Sequence, residues 1–352
     1  MKKEVYYSEY LKLESILQAQ ELESVKNQHP AHDEMLFIVT HQTLELWMKQ
    51  IHFEIDSILQ EFAKPYLPDA TLSVIHHRLQ RIVEIQKLMT SHFTVLETMT
   101  PLDFLDFRDD LIPASGFQSL QFKQLECKLG IYQRHQSSTK AYSQQSLHKE
   151  DQSRIDENTM TLFQGVQTWL ERNPFLESKE YQFESSYKNA LDLMFEKEKT
   201  LIQNHPFLDD EQRKKETVNV ELMKDKFKDL FESENGDATQ GKLSRKALLS
   251  ALFINLYRDY PMIHTPFQVL RSLIELDQMH VAWKHKHLSM VRKMIGLKMG
   301  TGGSSGQKYL SESIEASSIF SDLVSLPSYL VSRQNIPVLP ESISKQLGFR
   351  WV

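Results

Sequence analysis

Two histidines stand on an apolar stripe in the C-terminal third of the sequence. Leu276, His280, Trp283, His287, Met290, Val291 and Met294 recur at steps of three and four, which places them on one face of a helix. His285 falls elsewhere on the wheel. A neutral imidazole among Trp, Met and Val suits a haem iron, which needs one axial nitrogen and an apolar surround. The same stripe is also what a core helix looks like, because Met fills irregular gaps between packed helices. Spacing therefore leaves open whether His280, His287 or neither is a ligand.

A third histidine poses the same question nearer the N-terminus. Phe37, His41, Leu44, Met48, Ile51, Ile55, Ile58 and Phe62 form one helical face, so His41 sits where an apolar residue is expected. Buried imidazoles normally hydrogen-bond a carbonyl or water, which is the structural reading of His41. Glu45 lies one turn on and could share a metal with it, although a pair without further ligands is weak evidence. Arg108, within DFLDFRDDL, is either a surface ion pair or a bidentate clamp for a substrate carboxylate. The loop GTGGSSG (300–306) fits neither a Walker A sequence nor a GxGxxG dinucleotide turn. One glycine would suffice to stop the preceding helix. The additional glycines and hydroxyls read either as a flexible linker or as backbone that approaches a ligand closely. GxSxG, HExxH and CxxC are absent, so no hydrolase grouping competes.

These side chains need long helices to place them. The stripe from Phe37 to Phe62 is one, preceded by Pro30 as a break and by Asp33 and Glu34 as first-turn acids. A second spans about residues 70–96. A third is short, since prolines at 101 and 113 and a glycine at 116 interrupt it. Residues 131–160 are polar and poorly periodic and read as a loop or exposed helix. Helical patterns resume over about 161–170 and 185–203, residues 233–244 form a second polar break, and about 246–297 reads as two long helices separated near Pro261 and Pro266. There is no internal repeat and no strongly alternating run. The expected fold is all-α, with long helices packed antiparallel in one domain over 1–352 and room for a small helical insertion within about 131–255.

Composition agrees and narrows the function. With 352 residues and 40% hydrophobic content the chain can bury a substantial core. Eleven glycines are few for an all-β chain. A formal charge of −6 gives no reason to expect nucleic acid or an anionic membrane as partner. A single cysteine, Cys127, excludes an intramolecular disulfide framework and multi-cysteine zinc sites. No apolar stretch suits a signal peptide or a membrane span, so a cytoplasmic location is expected.

Four blocks carry a resemblance: YSEYLKLESILQAQ (7–20), HDEMLFIVTHQTLELWMKQI (32–51), TPLDFLDFRDDLIPASGFQSLQFKQLE (100–126) and HLSMVRKMIGLKMGTGGSSGQKYL (287–310). Together they resemble the tryptophan 2,3-dioxygenase family, haem enzymes that open the indole ring of L-tryptophan with O2 to give N-formyl-L-kynurenine. The resemblance implies haem b, ferrous in the active form, a helical haem pocket and a homotetramer. It makes His287 the proximal ligand of the haem iron and His41 the distal residue that accepts a hydrogen bond from the indole N–H. It puts Phe37 beside the indole, pairs Arg108 with the substrate carboxylate and bonds Thr301 to the ammonium and carboxylate end, so that the glycine loop closes over the amino acid. Ser115 and Gly116 would line the haem pocket, with Phe104 and Leu111 flanking the same cavity. Tyr7, Tyr10 and Leu11 would reach a neighbouring subunit's active site. These roles follow from the resemblance alone. Two departures stand out. Many family members have Trp-Arg where this chain has Trp283 and Lys284, and residues of about 131–255 show little resemblance. A related reading on the same fold is insertion of one oxygen atom into an indole or another aromatic amino acid.

Overall fold

Helix Glu34–Phe62 (α1) and helix Asp69–Leu96 (α2) form a hairpin, because the chain between them is short and Pro68 holds extended backbone just before α2 begins. The structure is a computed structural model and describes residues 4–132, 147, 149–155, 159–176, 178, 180–232, 241–296, 298, 300, 307–315 and 317–348. Among them the regular elements are all helical. Besides α1 and α2 the longer ones are Leu120–Leu129 (α3), Leu162–Glu171 (α4), Phe183–Gln203 (α5), Asp210–Glu232 (α6), Arg245–Leu256 (α7), Pro261–Ile295 (α8) and Gln307–Glu315 (α9).

The apolar face of α1 is buried from Leu44 onward, with Ile51, Ile55, Ile58 and Phe62 almost wholly enclosed. It meets α2 through Leu79, Ile82 and Val83, and this pair runs antiparallel as expected. The closest partner of α2 is α8, and these two run in the same direction. His76 meets Ser272 at one end, while Phe93 meets Trp283 and Glu97 meets Lys286 at the other. The chain between α2 and α8 carries it back to the starting end, which lets two helices far apart in sequence lie parallel.

The break between the last two long helices lies at residues 257–260, directly before Pro261 and close to where the two prolines put it. Pro261 is the first residue of α8, where a missing N–H costs nothing, and Pro266 is accommodated within the second turn. Helix α6 had no sequence signal strong enough to read, since the side chains described as buried on it are Val220, Phe227, Leu230 and Phe231, amid a sequence rich in charged residues. It pairs with α5, and the buried side chains of both join the main apolar cluster, which extends from Leu44 to Leu347. Most of the polar stretch 131–160 and residues 233–240 lie outside the described residues; within the first, Lys149–Gln152 is a short helix.

A second, smaller apolar cluster forms around the C-terminal ends of α2 and α8. It contains Phe93, Leu96, Met99, Phe107, Met290 and Met294, with Phe37, Phe104, Leu111, Trp283 and Val291 packed against it. This cluster surrounds a cavity.

Candidate functional site

The cavity is walled by α1, the irregular segment before α3, α3 itself and the C-terminal half of α8. Phe37, His41, Phe104, Arg108, Ser115, Gly116 and His287 all contribute to it. Leu111 packs in the surrounding apolar cluster, behind the wall. Gly300 reaches the cavity, while Thr301 and the rest of the glycine loop lie outside the described residues. Tyr7, Tyr10 and Leu11 are on the exposed helix Tyr7–Leu11, away from this chain's own cavity.

His41 comes to the wall because α1 turns its apolar stripe toward the small cluster at this end. Its Nδ1–H donates to the Phe37 carbonyl oxygen at 2.7 Å, so Nε2 carries the lone pair. The Phe37 ring lies against the imidazole with centroids 4.1 Å apart. Burial holds the His41 pKa below its ordinary value, against the opposing influences of the Phe37 carbonyl and Glu45. His41 is thus a neutral acceptor. His287 sits between Phe93 and Trp283, at centroid distances of 5.7 and 5.4 Å. Burial, reinforced by the nearby His41, pushes its pKa down to about 4. It too is neutral, with a lone pair available to a metal.

The histidines of α8 separate here. His280 is buried against the ring of Phe122, with centroids 6.2 Å apart, and is absent from the cavity wall. His287, Met290, Val291 and Met294 are on it. The apolar stripe read from the sequence is therefore core in its first half and cavity in its second.

Arg108 stands on a short 3-10 turn, Arg108–Leu111, after the helix Pro101–Leu105, which is capped reciprocally by Thr100 and Asp103. Its guanidinium is largely buried and pairs with exposed Asp109 at 2.7 Å. Asp110 ties the same turn to Asn27 at 2.8 Å. Ser115 caps the turn Gly116–Gln118, with its Oγ accepting from Phe117 N–H.

Sequence reasoning singled out Lys284 as a departure from the family pattern but missed the buried polar group that it forms with Glu126 and Ser313. Lys284 Nζ donates to Glu126 Oε1 at 2.5 Å and to Ser313 at both its Oγ (2.9 Å) and its carbonyl oxygen (3.2 Å). All three residues are buried, so this knot ties α3, α8 and α9 together. Lys123, also buried and on the wall, has its pKa pushed down to about 8 by desolvation, with Glu126 opposing. Trp283 Nε1–H is buried on the same wall with no acceptor among the described residues. Helical periodicity gives no sign that Lys123 and Glu126 face inward, since an i, i+3 charged pair usually marks a solvated face. The suggested metal pairing of Glu45 with His41 does not form. The Glu45 carboxylate is taken up by Ser119 and Gln121, and among the described residues no group of three or more His, Cys, Asp or Glu could hold a metal ion.

Comparison with known proteins fits this arrangement. Residues 1–330 match the family described as tryptophan 2,3-dioxygenase. The chain belongs to the tryptophan 2,3-dioxygenase family. It is 42% identical to a tryptophan 2,3-dioxygenase of Bdellovibrio bacteriovorus, with 99% of each chain covered. A tryptophan 2,3-dioxygenase of Dictyostelium discoideum is 44% identical over 99% of this chain and 89% of its own length. One from Xenopus tropicalis is 40% identical over 97% of this chain and 86% of its own. The match to this family takes in the central region where the sequence blocks fell silent. No helix among the described residues is long and apolar enough to cross a membrane.

Proposed function

We propose that the protein is a haem-dependent dioxygenase that cleaves the indole C2–C3 bond of L-tryptophan with O2, giving N-formyl-L-kynurenine. The observation that carries this reading is that His41, Arg108 and His287 meet at one largely apolar cavity, two of them as neutral imidazoles.

The residues present fit haem b. His287 offers a neutral nitrogen to the iron, and Phe93, Met290, Val291 and Met294 offer the apolar surround. The unpartnered Trp283 Nε1–H, with Lys123 and Lys284 on the same wall, gives donors and positive charge to carboxylates of the bound group. Lysine in place of the family's usual arginine at 284 supplies a point charge rather than a planar fork. Its ammonium is already committed to Glu126 and Ser313, so Lys123 and Trp283 are the donors of this wall better placed to meet a bound carboxylate.

When bound in its ferrous form, haem supplies the activation of O2. The chain's own work is positioning. His41 Nε2 accepts the indole N–H and, being neutral, does so without adding charge beside the ring. Phe37 and Phe104 confine the ring plane, their centroids 5.7 Å apart. Arg108 takes the substrate carboxylate in exchange for its weak surface pair with Asp109. The largely apolar lining disfavours water beside the reacting carbons once the substrate fills the cavity. Thr301 is proposed to bind the ammonium and carboxylate end. Tyr7, Tyr10 and Leu11 are proposed to complete a neighbour's site in a homotetramer, which accounts for large apolar side chains left exposed at this end. A cytoplasmic location is proposed with it.

The test is anaerobic reconstitution with haem, reduction, then addition of L-tryptophan and labelled O2. Formation of N-formylkynurenine carrying both labelled atoms, dependent on ferrous haem, is the expected result. Incorporation of one atom moves the protein to the related monooxygenase chemistry. Arg108→Ala should retain haem while weakening tryptophan binding by roughly 10- to 100-fold, the cost of losing a charge-assisted bidentate contact.

A further inference from the structure

Glu45 is the one carboxylate among the described residues of the cavity wall, and its position is not explained by the chemistry above. It lies one turn beyond His41 on α1. Its Oε1 accepts from Ser119 Oγ at 2.6 Å, and its Oε2 accepts from Gln121 Nε2 at 2.7 Å. Gln121 Nε2 also donates to the Glu45 carbonyl oxygen at 2.9 Å. Ser119 in turn caps α3, accepting from Phe122 N–H at 3.2 Å. Glu45 thus clasps the junction between α3 and the segment that precedes it.

That segment, residues 106–119, carries Arg108, Ser115 and Gly116 and contains only two short 3-10 turns. It has little regular backbone bonding to hold its shape. It is anchored upstream through the Thr100–Asp103 cap and in its middle by Asp110 with Asn27 and His29. Glu45 supplies the downstream anchor, and this one reaches the helix that carries His41. A carboxylate suits the task because it only accepts, and both partners donate. Bonds to a charged acceptor are also the stronger kind.

We propose that Glu45 is a positioning residue: by holding Ser119 and Gln121 it fixes the segment bearing Arg108, Ser115 and Gly116 against α1, and so sets the width of the cleft into which the substrate enters. The inference rests on the tryptophan reading of the cavity. Glu45 touches neither substrate nor haem in this role. Its effect passes through where Arg108 stands relative to His41.

The experiment uses the full-length protein with Glu45→Ala, Glu45→Gln and Ser119→Ala. Hydrogen–deuterium exchange is followed on the haem-free form, and tryptophan binding and turnover on the haem-loaded form. Glu45→Ala should speed exchange over residues 115–122 and raise KM for tryptophan on the order of tenfold, with the Soret band and kcat per haem nearly unchanged. Glu45→Gln should recover only part of the KM, since its amide oxygen still accepts from Ser119 while its NH2 meets the Gln121 donor, and Ser119→Ala should likewise raise KM less than Glu45→Ala. A merely structural residue would lower the yield of folded protein and leave KM and kcat per haem as they were. Unchanged exchange, or unchanged KM in both Glu45→Ala and Ser119→Ala, overturns the proposal. A wild-type protein that loads haem but ignores tryptophan sinks the functional reading instead, and the exchange data then decide the anchor by themselves.

Discussion

The two halves of α8 share a helix, a period and an apolar stripe, yet they do different things. In the first half Val269, Leu270, Leu273 and Leu276 are enclosed almost completely, and His280 is buried with them against Phe122. In the second half Trp283, His287, Met290, Val291 and Met294 face a cavity. The difference arises from the neighbours. Beside the first half the main apolar cluster fills the space, whereas beside the second half Phe93, Leu96, Phe104 and Arg108 line a cavity together with the α8 side chains. A side chain's role on this helix is set by what the facing elements decline to fill.

The contrast is broken or sharpened first by the two histidines. His287→Ala should abolish the haem Soret band. His280→Ala should keep it and cost about 1–3 kcal/mol of stability, measured by urea unfolding. Axial ligation that survives the first change, or is lost with the second, would erase the distinction between the halves.

Next comes the boundary between them, Lys284. Lys284→Met leaves Glu126 as a buried charge without its ammonium and should cost about 3–5 kcal/mol. Adding Glu126→Leu should restore most of that loss. If the double variant is no more stable than the single, the knot is not an ion pair of the kind described.

Ordinary packing should show a smaller contrast. Leu273→Ala, in the filled half, should destabilise by about 2–5 kcal/mol. Met294→Ala should cost under about 2 kcal/mol, because its side chain already borders open space. Equal losses would mean that the cavity is closed around Met294 in solution.

The last contrast is in pH. His41 and His287 are held below the ordinary histidine value of 6.5, His287 at about 4, both chiefly by burial. In the unfolded chain both return to about 6.5. The stability tied to keeping them neutral is fully present above that value and is lost as pH falls toward about 4. For the haem-free protein, thermal unfolding should move down between pH 7 and 5, by up to about 1.4 kcal/mol per pH unit for each histidine. His287→Phe should flatten the slope, and a protein equally stable at both pH values would show that these rings are solvated.

Much of this was legible beforehand. The stripe from Phe37 to Phe62 required α1, and the blocks around His41, Arg108, Ser115 and His287 brought the wall residues together on paper. Helix α6 was not legible, since the four apolar residues described as buried on it, among many charges, do not make a clear period. Nor was the choice between His280 and His287 from spacing, because a helix repeats its face whether that face meets a leucine or a void.

Lys123 and Glu126 mark the same limit: an i, i+3 charged pair carries no sign of burial until a third helix covers it, and Lys284 stood out only as a departure from the family pattern. The sequence by itself determined where most of the long helices run and which chemistry-bearing side chains exist, because periodicity and capping are local properties. Only the tertiary structure decided that α2 and α8 run parallel, that Glu45 serves Ser119 and Gln121 rather than a metal, and that one half of a uniform stripe opens onto a cavity. Those outcomes depend on the distance between elements remote in sequence, and no local pattern encodes it.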